Sequence, residues 1–299
     1  MKILITGAGG FVARAVAAEL EKSHELRLTD RCRPEDATVM NWDTGKREAS
    51  PLNSKWPYLQ AELTDPDSVQ RTVDGMDAVV HLAANPQGFP EQGVEIFHAN
   101  AHGTFVILNA CRKAGVRRFG LASSINAYGL FYWRISKNPP VFTRLPIMED
   151  MESVAEDPYS LGKLVGEITC AAFHRAYGIT TAAFRFAGVW SDKMCEDEKA
   201  RGLPPTKEWP EHFLQWVHVK DIARGIRQAL EQENLPGSGV YNLCGADTRC
   251  PEPTMEILNR LRPDLAGLLK QPLKGREPLI SIEKARRTFG YSPQYRLGP

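Results

Sequence analysis

The sequence has no excess of charge of either sign. Its 299 residues carry 37 Lys and Arg against 36 Asp and Glu, for a net charge of +1. No basic field is on hand to hold nucleic-acid phosphates or an anionic membrane, so neither is expected as a partner. There is no long apolar run. The opening MKILITGAGG turns to glycine at once, too soon for a secretion signal or a membrane span. There is no C-x-x-C, and the six cysteines (Cys32, Cys111, Cys170, Cys195, Cys244 and Cys250) fall at no zinc-ligand spacing. They are expected as reduced thiols, several buried, in a cytoplasmic enzyme, with a Cys244–Cys250 disulfide as the alternative. With 42% hydrophobic and 24% charged residues, what remains is an ordinary globular composition, long enough for one large domain or two modest ones.

The pattern along the chain alternates. KILIT (2–6) and ELRLTD (25–30) are strand-like runs around a helical FVARAVAAELEK. Residues 31–56 are polar and are expected as a long connection. A strand near 57–61, a helix at 66–74 and the buried-type strand DAVVHLAA follow, then a helix from about 91 to 114 and the strand RRFGLASS. A Pro-rich segment (136–158) leads to a helix at 158–177 and the strand TTAAFRFAGVW. Strand–helix alternation of this kind predicts an α/β fold, a Rossmann-type doubly wound parallel sheet. From about 190 the pattern loosens through LPPTKEWPEHF into short strands (WVHV, VYNLCG) and helices at 220–234, 253–262 and 282–289. The expected organisation is a cofactor-binding domain over 1–189 and a smaller substrate-binding lid over 190–299, partly interleaved with it.

TGAGGFVA (6–13) stands between the first strand and the first helix, where a dinucleotide fingerprint belongs. Gly7 suits the tight turn, and Gly10 lets backbone approach a pyrophosphate at the helix N-terminus. Ala13 replaces the third glycine and is still small. Asp30 ends the second strand, 23 residues after Gly7, placed to accept from the adenosine ribose hydroxyls. Asp65, in ELTD, is expected at the adenine amino group. A carboxylate at Asp30 repels the extra phosphate of NADP, which favours NAD. Arg31 and Arg33 work the other way, since either can reach a phosphate.

DPYSLGKLVGE (157–167) carries the chemistry. Asp157 is placed as an N-cap and Pro158 at the first helical position, so Tyr159 and Lys163 share one helix face. Of the eight tyrosines only Tyr159 has a lysine four residues on. Hydride transfer at an alcohol carbon needs a proton acceptor, and a free phenol, pKa about 10, is a poor one. A neighbouring ammonium and a positive nicotinamide favour phenolate. Tyr159 is therefore expected as general base or acid, Lys163 as the group that lowers its pKa and holds the nicotinamide ribose, and Ser124 as a hydrogen-bond partner of the reacting oxygen.

Together TGAGGFVA, Asp30, HLAA, NAHGTFVILNACRKAGVRRF, SSINAYG, PYSLGK, FRFAGVW and WVHVKDIARGI resemble the extended short-chain dehydrogenase/reductase family, the NAD-dependent epimerase/dehydratase group that works mainly on sugars and sugar nucleotides. The match runs in order through YNLCG to KARRTFGYSPQY. It implies a cofactor lining of Gly7, Gly10, Phe11, Val12, Asp30, Arg31, Leu63, Asp65, Leu82, Ala83, Ala84, Asn100, Tyr159, Lys163, Phe186 and Val189. Asn100 lies near the active site in that pattern, and Phe186 stands where relatives often carry proline. The resemblance also implies a homodimer, paired through the helices at 91–114 and 158–177.

Two departures narrow the reaction. Dehydratases of the family place Asp–Glu after the serine or threonine; here these are Ile125 and Asn126, which disfavours dehydration. The 190–216 region lacks the usual glycine-rich stretch and looks reduced, as in the uronate and aldose dehydrogenases of the family, where the position of Asn126 contacts sugar. The expected substrate contacts are Asn85, Ser124, Ile125, Asn126, Arg134, Tyr159 and Arg185. The reading is an NAD-dependent oxidoreductase of a sugar, sugar acid or similar polyhydroxylated molecule. A nucleotide-sugar 4-epimerase with tightly bound NAD is the alternative, and a non-catalytic NAD(P)-sensing protein the third.

Several residues keep two readings. Tyr132, Trp133 and Arg134 line a pocket for a polar, anionic ligand or pack as an aromatic loop on the lid. Arg185 pairs with a substrate carboxylate or with a buried acid of the fold. His98 and His102, four apart, lack a third ligand, and no metal is expected. His218 is expected to be a lid or core residue, and Cys111 to pack.

Overall fold

The computed structural model describes residues 1–41, 46–138, 140–202, 204–210 and 214–298. Parts of the LPPTKEWPEHF stretch, Leu203 and residues 211–213, lie outside the described residues. The elements are β1 (Lys2–Thr6), α1 (Phe11–Leu20), β2 (Glu25–Asp30), β3 (Thr38–Asn41), β4 (Lys46–Ala49), β5 (Tyr58–Gln60), α2 (Pro66–Val73), β6 (Ala78–His81), α3 (Gly93–Phe97), α4 (Gly103–Ala114), β7 (Arg118–Ser124), α5 (Pro158–Tyr177), β8 (Thr180–Phe186), β9 (Val189–Trp190), α6 (Asp192–Arg201), β10 (Val217–His218), α7 (Val219–Glu231), β11 (Ser238–Leu243), α8 (Thr254–Leu261), α9 (Pro263–Ala266) and α10 (Glu283–Phe289).

Seven strands form one parallel sheet in the order β11-β8-β7-β6-β1-β2-β5, flanked by helices. The fold is the doubly wound Rossmann type. Chain order reverses between β1 and β6, so the crevice that such sheets offer to ligands opens beyond Thr6 and His81, which pair in register there. The inner strands are apolar because both faces are covered; β1 and β6 are buried almost throughout. One core cluster joins β1, β2, α1 and α7 to the C-terminal elements, and a second packs α2, α4 and α5 on the opposite face.

Three details differ from the sequence reading. The connection 31–56 contains a short 3₁₀ turn (Pro34–Asp36) and an antiparallel hairpin, β3–β4. The helix expected at 91–114 is interrupted by a π-turn at His98–His102. Residues 190–216 hold the helix α6, not only loosened chain. Beyond residue 190 the chain returns to the central sheet as β11, and Tyr241 packs with Phe184 and Phe289 at ring-centroid distances of 6.5 and 5.1 Å. All six cysteines are free, Cys244 and Cys250 included. Among the described residues no helix is long and apolar enough to cross a membrane.

Candidate active site

The glycine loop is shaped by close backbone approach. Gly7 has φ +68°, and a Cβ there would lie 2.7 Å from Ala83 Cα, so a side chain is excluded both by conformation and by space. No side chain caps α1 at Gly10, which leaves its first-turn N–H groups available to an anion. Asp30 accepts from Gly9 N (3.0 Å) and from Arg31 N (2.7 Å), which fixes its carboxylate at the end of β2. Arg33 is tied to Asp36 (2.7 Å) and Glu35 (3.4 Å), whereas Arg31 is exposed. Phe11, Val12, Leu63, Leu82, Ala83 and Val189 are half-buried, Phe186 is buried and Ala84 exposed. Asp65 is exposed and caps α2, accepting from Asp67 N at 3.1 Å. This cradle of glycines, helix terminus and carboxylate fits a dinucleotide.

Thr6 organises the opposite wall, a role no motif announced. Burial and the Lys163 charge lower the His81 imidazole to about 3, so the ring is neutral and its Nδ1 can accept the Thr6 hydroxyl at 2.8 Å. The Thr6 oxygen then accepts from Leu82 N and Ala83 N, both at 3.2 Å. Asn100 clasps the next turn of chain, accepting from Asn85 N (2.8 Å) and donating to Asn85 O (2.9 Å). Helix α5 passes so close that a Cβ on Gly162 would meet Asn100 Cβ at 2.9 Å.

At the carboxyl edge of β7, Ser124 accepts from Asn126 N at 3.1 Å, and its side chain stands near enough to Tyr159 to favour the phenolate. Asp157 caps α5 through Tyr159 N (3.0 Å) and Ser160 N (2.9 Å). Lys163 is 7% exposed and donates to Ala122 O at 2.7 Å, with its Nζ 5.5 Å from the Tyr159 ring centroid. The electrostatics differ from the sequence expectation. Burial pushes the Tyr159 phenol up to about 12, with only the Ser124 hydroxyl opposing it. Lys163 does not hold it down: the ammonium is directed at a carbonyl, and burial lowers Lys163 itself to about 8 against the pull of Glu167. Ile125 and Asn126 are buried beside Ser124, and Asn126 Oδ1 has no hydrogen-bond partner among the described residues.

The two arginines expected at the substrate are engaged elsewhere. Arg185 forms a two-point pair with Glu167 (Nε–Oε1 2.9 Å, Nη2–Oε2 2.7 Å) and lies 4.1 Å over the Tyr128 ring. Both partners are 4% exposed, so of the two readings the buried ion pair is the one seen, and Arg185 Nη1 has no hydrogen-bond partner among the described residues. Glu167 also accepts from Ser123 Oγ. Arg134 donates to Gly129 O (2.6 Å) and Asn138 O (3.0 Å) and stands 3.4 Å from Glu156, fastening its own loop. Trp133 packs edge-on to Phe89 at 5.0 Å and against Gly88. His98 and His102 stack at 4.6 Å, and no group of three His, Cys, Asp or Glu among the described residues could hold a metal. His218 is fully buried against Tyr295 at 3.6 Å, lowered to about 4 by that burial, and caps α7. Cys111 is buried in the second cluster.

Sequence reasoning also missed Arg14. It donates to Gly9 O (3.0 Å), to Pro51 O (3.3 Å) and to Ser50 O, joining the glycine loop to the far end of the hairpin.

The family model described as "NAD dependent epimerase/dehydratase family" matches residues 3–244. The chain is 24% identical to a UDP-glucose 4-epimerase of Corynebacterium glutamicum over 99% of its length and 92% of that protein. It is 25% identical to an NAD-dependent glucose-6-phosphate dehydrogenase of Haloferax volcanii over 98% and 92%. A solved short-chain dehydrogenase/reductase superfamily protein from Agrobacterium tumefaciens, with bound NAD, superposes with a TM-score of 0.68 at 22% identity, covering 99% of this chain and 94% of that one. Its cradle, its edge triad and this match place the chain in one group: it belongs to the NAD-dependent epimerase/dehydratase family, of the extended short-chain dehydrogenase/reductase type, with NAD as its cofactor.

Proposed function

We propose that the protein is an NAD-dependent oxidoreductase acting on a hydroxyl or carbonyl carbon of a sugar, sugar acid or similar polyhydroxylated small molecule. The observation that carries this reading is the placement of Tyr159 within reach of Ser124, with Lys163 one turn away and the unpartnered acceptor Asn126 Oδ1 beside Ser124. Ser124 orients the reacting oxygen and Tyr159 moves its proton, taking it in oxidation and returning it in reduction. Asn126 Oδ1 accepts a second substrate hydroxyl. Lys163 turns from Ala122 O toward the cofactor ribose and the phenol. NAD, when bound, accepts the hydride and brings a positive ring beside Tyr159. Since burial alone leaves that phenol at about 12, oxidation is expected to quicken as pH rises.

Ile125 and Asn126 offer no acid–base pair for removing water, which argues against a dehydratase. The likeness to a glucose-6-phosphate dehydrogenase supports oxidation of a sugar without a nucleotide. The likeness to a UDP-glucose 4-epimerase favours the second reading, a 4-epimerase that retains its NAD. A screen of aldoses, sugar acids, sugar phosphates and nucleotide sugars separates them. Net NADH absorbance with one class supports the oxidoreductase, and epimer formation without net NADH overturns it. The same reading includes a homodimer through α3–α4 and α5, where Val94, Phe105, Leu161 and Ile168 are exposed. Light scattering should give twice the chain mass of 33.4 kDa; a monomer at micromolar concentration rejects this pairing.

A further inference from the structure

Arg249 follows β11 in the lid, and no motif pointed to it. Its guanidinium lies 4.4 Å over the ring of Trp190. Its backbone N donates to Leu214 O at 3.0 Å, which fixes the residue beside the β9–β10 pair. Nε is buried without a hydrogen-bond partner, and among the described residues no carboxylate forms an ion pair with this guanidinium. Glu198 is near enough for its charge to be felt, but it pairs with Arg201 at 3.7 Å. Tyr132 approaches from the loop that follows the Ser124 turn. Burial lowers the guanidinium's pKa against the weaker pull of Tyr132 and Glu198, so the fold desolvates this cation more than it compensates it.

The position matters as much as the vacancy. Phe186 pairs in register with Ser124, and Trp190, in the separate β9–β10 pair, stands four residues further along the chain. That is at most about 14 Å of chain. A single sugar with a charged substituent, together with the side chains that reach toward it, fills such a span. Trp190 takes up one side of the guanidinium, whose Nη groups form no ion pair among the described residues and suit a planar or tetrahedral oxyanion.

We propose that Arg249, braced by Trp190, anchors an anionic substituent of the substrate, a carboxylate or a phosphate monoester, at the end of the cleft away from Tyr159. The inference rests on the oxidoreductase reading only for where the reacting carbon lies. Titration calorimetry on the NADH-bound protein tests it without turnover, using D-glucuronate and D-glucose 6-phosphate as the carboxylate and phosphate probes and D-glucose as the neutral one. At least one anionic probe should bind tenfold or more tightly than D-glucose, and Arg249→Gln should weaken it by about 10–100-fold. Arg249→Lys, which keeps the charge without the fork, should fall between. Melting with NADH identifies variants that fold. The wild type supplies an independent arm: affinity for the anionic probe should drop between low and high NaCl while that for D-glucose does not. Equal affinity for anionic and neutral probes, or an anionic affinity untouched by folded Arg249→Gln, overturns the anchor. Anion preference without NADH formation from any sugar leaves the anchor standing and removes the oxidoreductase reading.

Discussion

Of the arginines that lie over aromatic rings, one belongs to the central sheet and another to the segment after β11. Arg185 sits 4.1 Å above Tyr128 and Arg249 sits 4.4 Å above Trp190. In the sheet the counter-charge is built in: Glu167 on α5 takes two of the Arg185 nitrogens, and neither side chain is more than 4% exposed. After β11 no described carboxylate forms an ion pair with the Arg249 guanidinium. A cation sealed between a strand and a helix must be neutralised by the fold itself, because no ligand can reach it. A half-buried cation such as Arg249 can wait for one. The contrast is one of charge: Arg185 keeps one nitrogen, Nη1, without a hydrogen bond yet has a carboxylate against it, whereas Arg249 has none among the described residues.

The largest expected effect falls on the chemistry that the closed side supports. Tyr159→Phe should lower kcat by about 10²–10⁴-fold while NAD affinity, read by calorimetry, is kept. Unchanged turnover with a confirmed substrate removes Tyr159 from proton transfer. Next comes the closed pair itself. Glu167→Ala leaves Arg185 buried alone and should cost about 3–5 kcal/mol in urea unfolding. Arg249→Gln, which breaks no internal pair, should cost under about 1 kcal/mol. Equal losses from the two would erase the contrast between the regions.

A smaller effect runs in the opposite direction. Burial holds Lys163 at about 8 against an ordinary 10.5, so the unfolded chain binds that proton more tightly. The cost of burying the charge is therefore full below about pH 8 and fades as pH rises from 8 toward 10.5. Lys163→Met should stabilise the protein at pH 7 by up to about 3 kcal/mol, less whatever the lost Ala122 bond is worth, and the gain should shrink by pH 10. A variant less stable than wild type at pH 7 shows that the ammonium is held favourably.

The legible parts of the chain were those with strong local chemistry. Helix α5 spans 158–177 as read, because Asp157 and Pro158 start it and Gly178, at φ +73°, ends it. β1, β2 and the glycine turn were equally plain. The hairpin β3–β4 was not, since the β4 residues are all exposed and leave no alternation to read. Helix α6 buries only Cys195, so it has no apolar stripe. The π-turn at His98–His102 leaves no mark in composition. At the site, Tyr159 and Ser124 could be named from sequence, whereas the pairing of Arg185 with Glu167 and the solitude of Arg249 depend on which elements meet in space.

The tether at Arg14 makes the hairpin part of the cofactor's doorway. One guanidinium holds the carbonyls of Gly9, Ser50 and Pro51, so the loop around the pyrophosphate position cannot swing outward without dragging the segment that follows β4. Departure of a spent dinucleotide and displacement of that segment become a single event. The residence time of the cofactor is therefore expected to depend in part on the exposed segment after β4, and Arg14→Ala should shorten it.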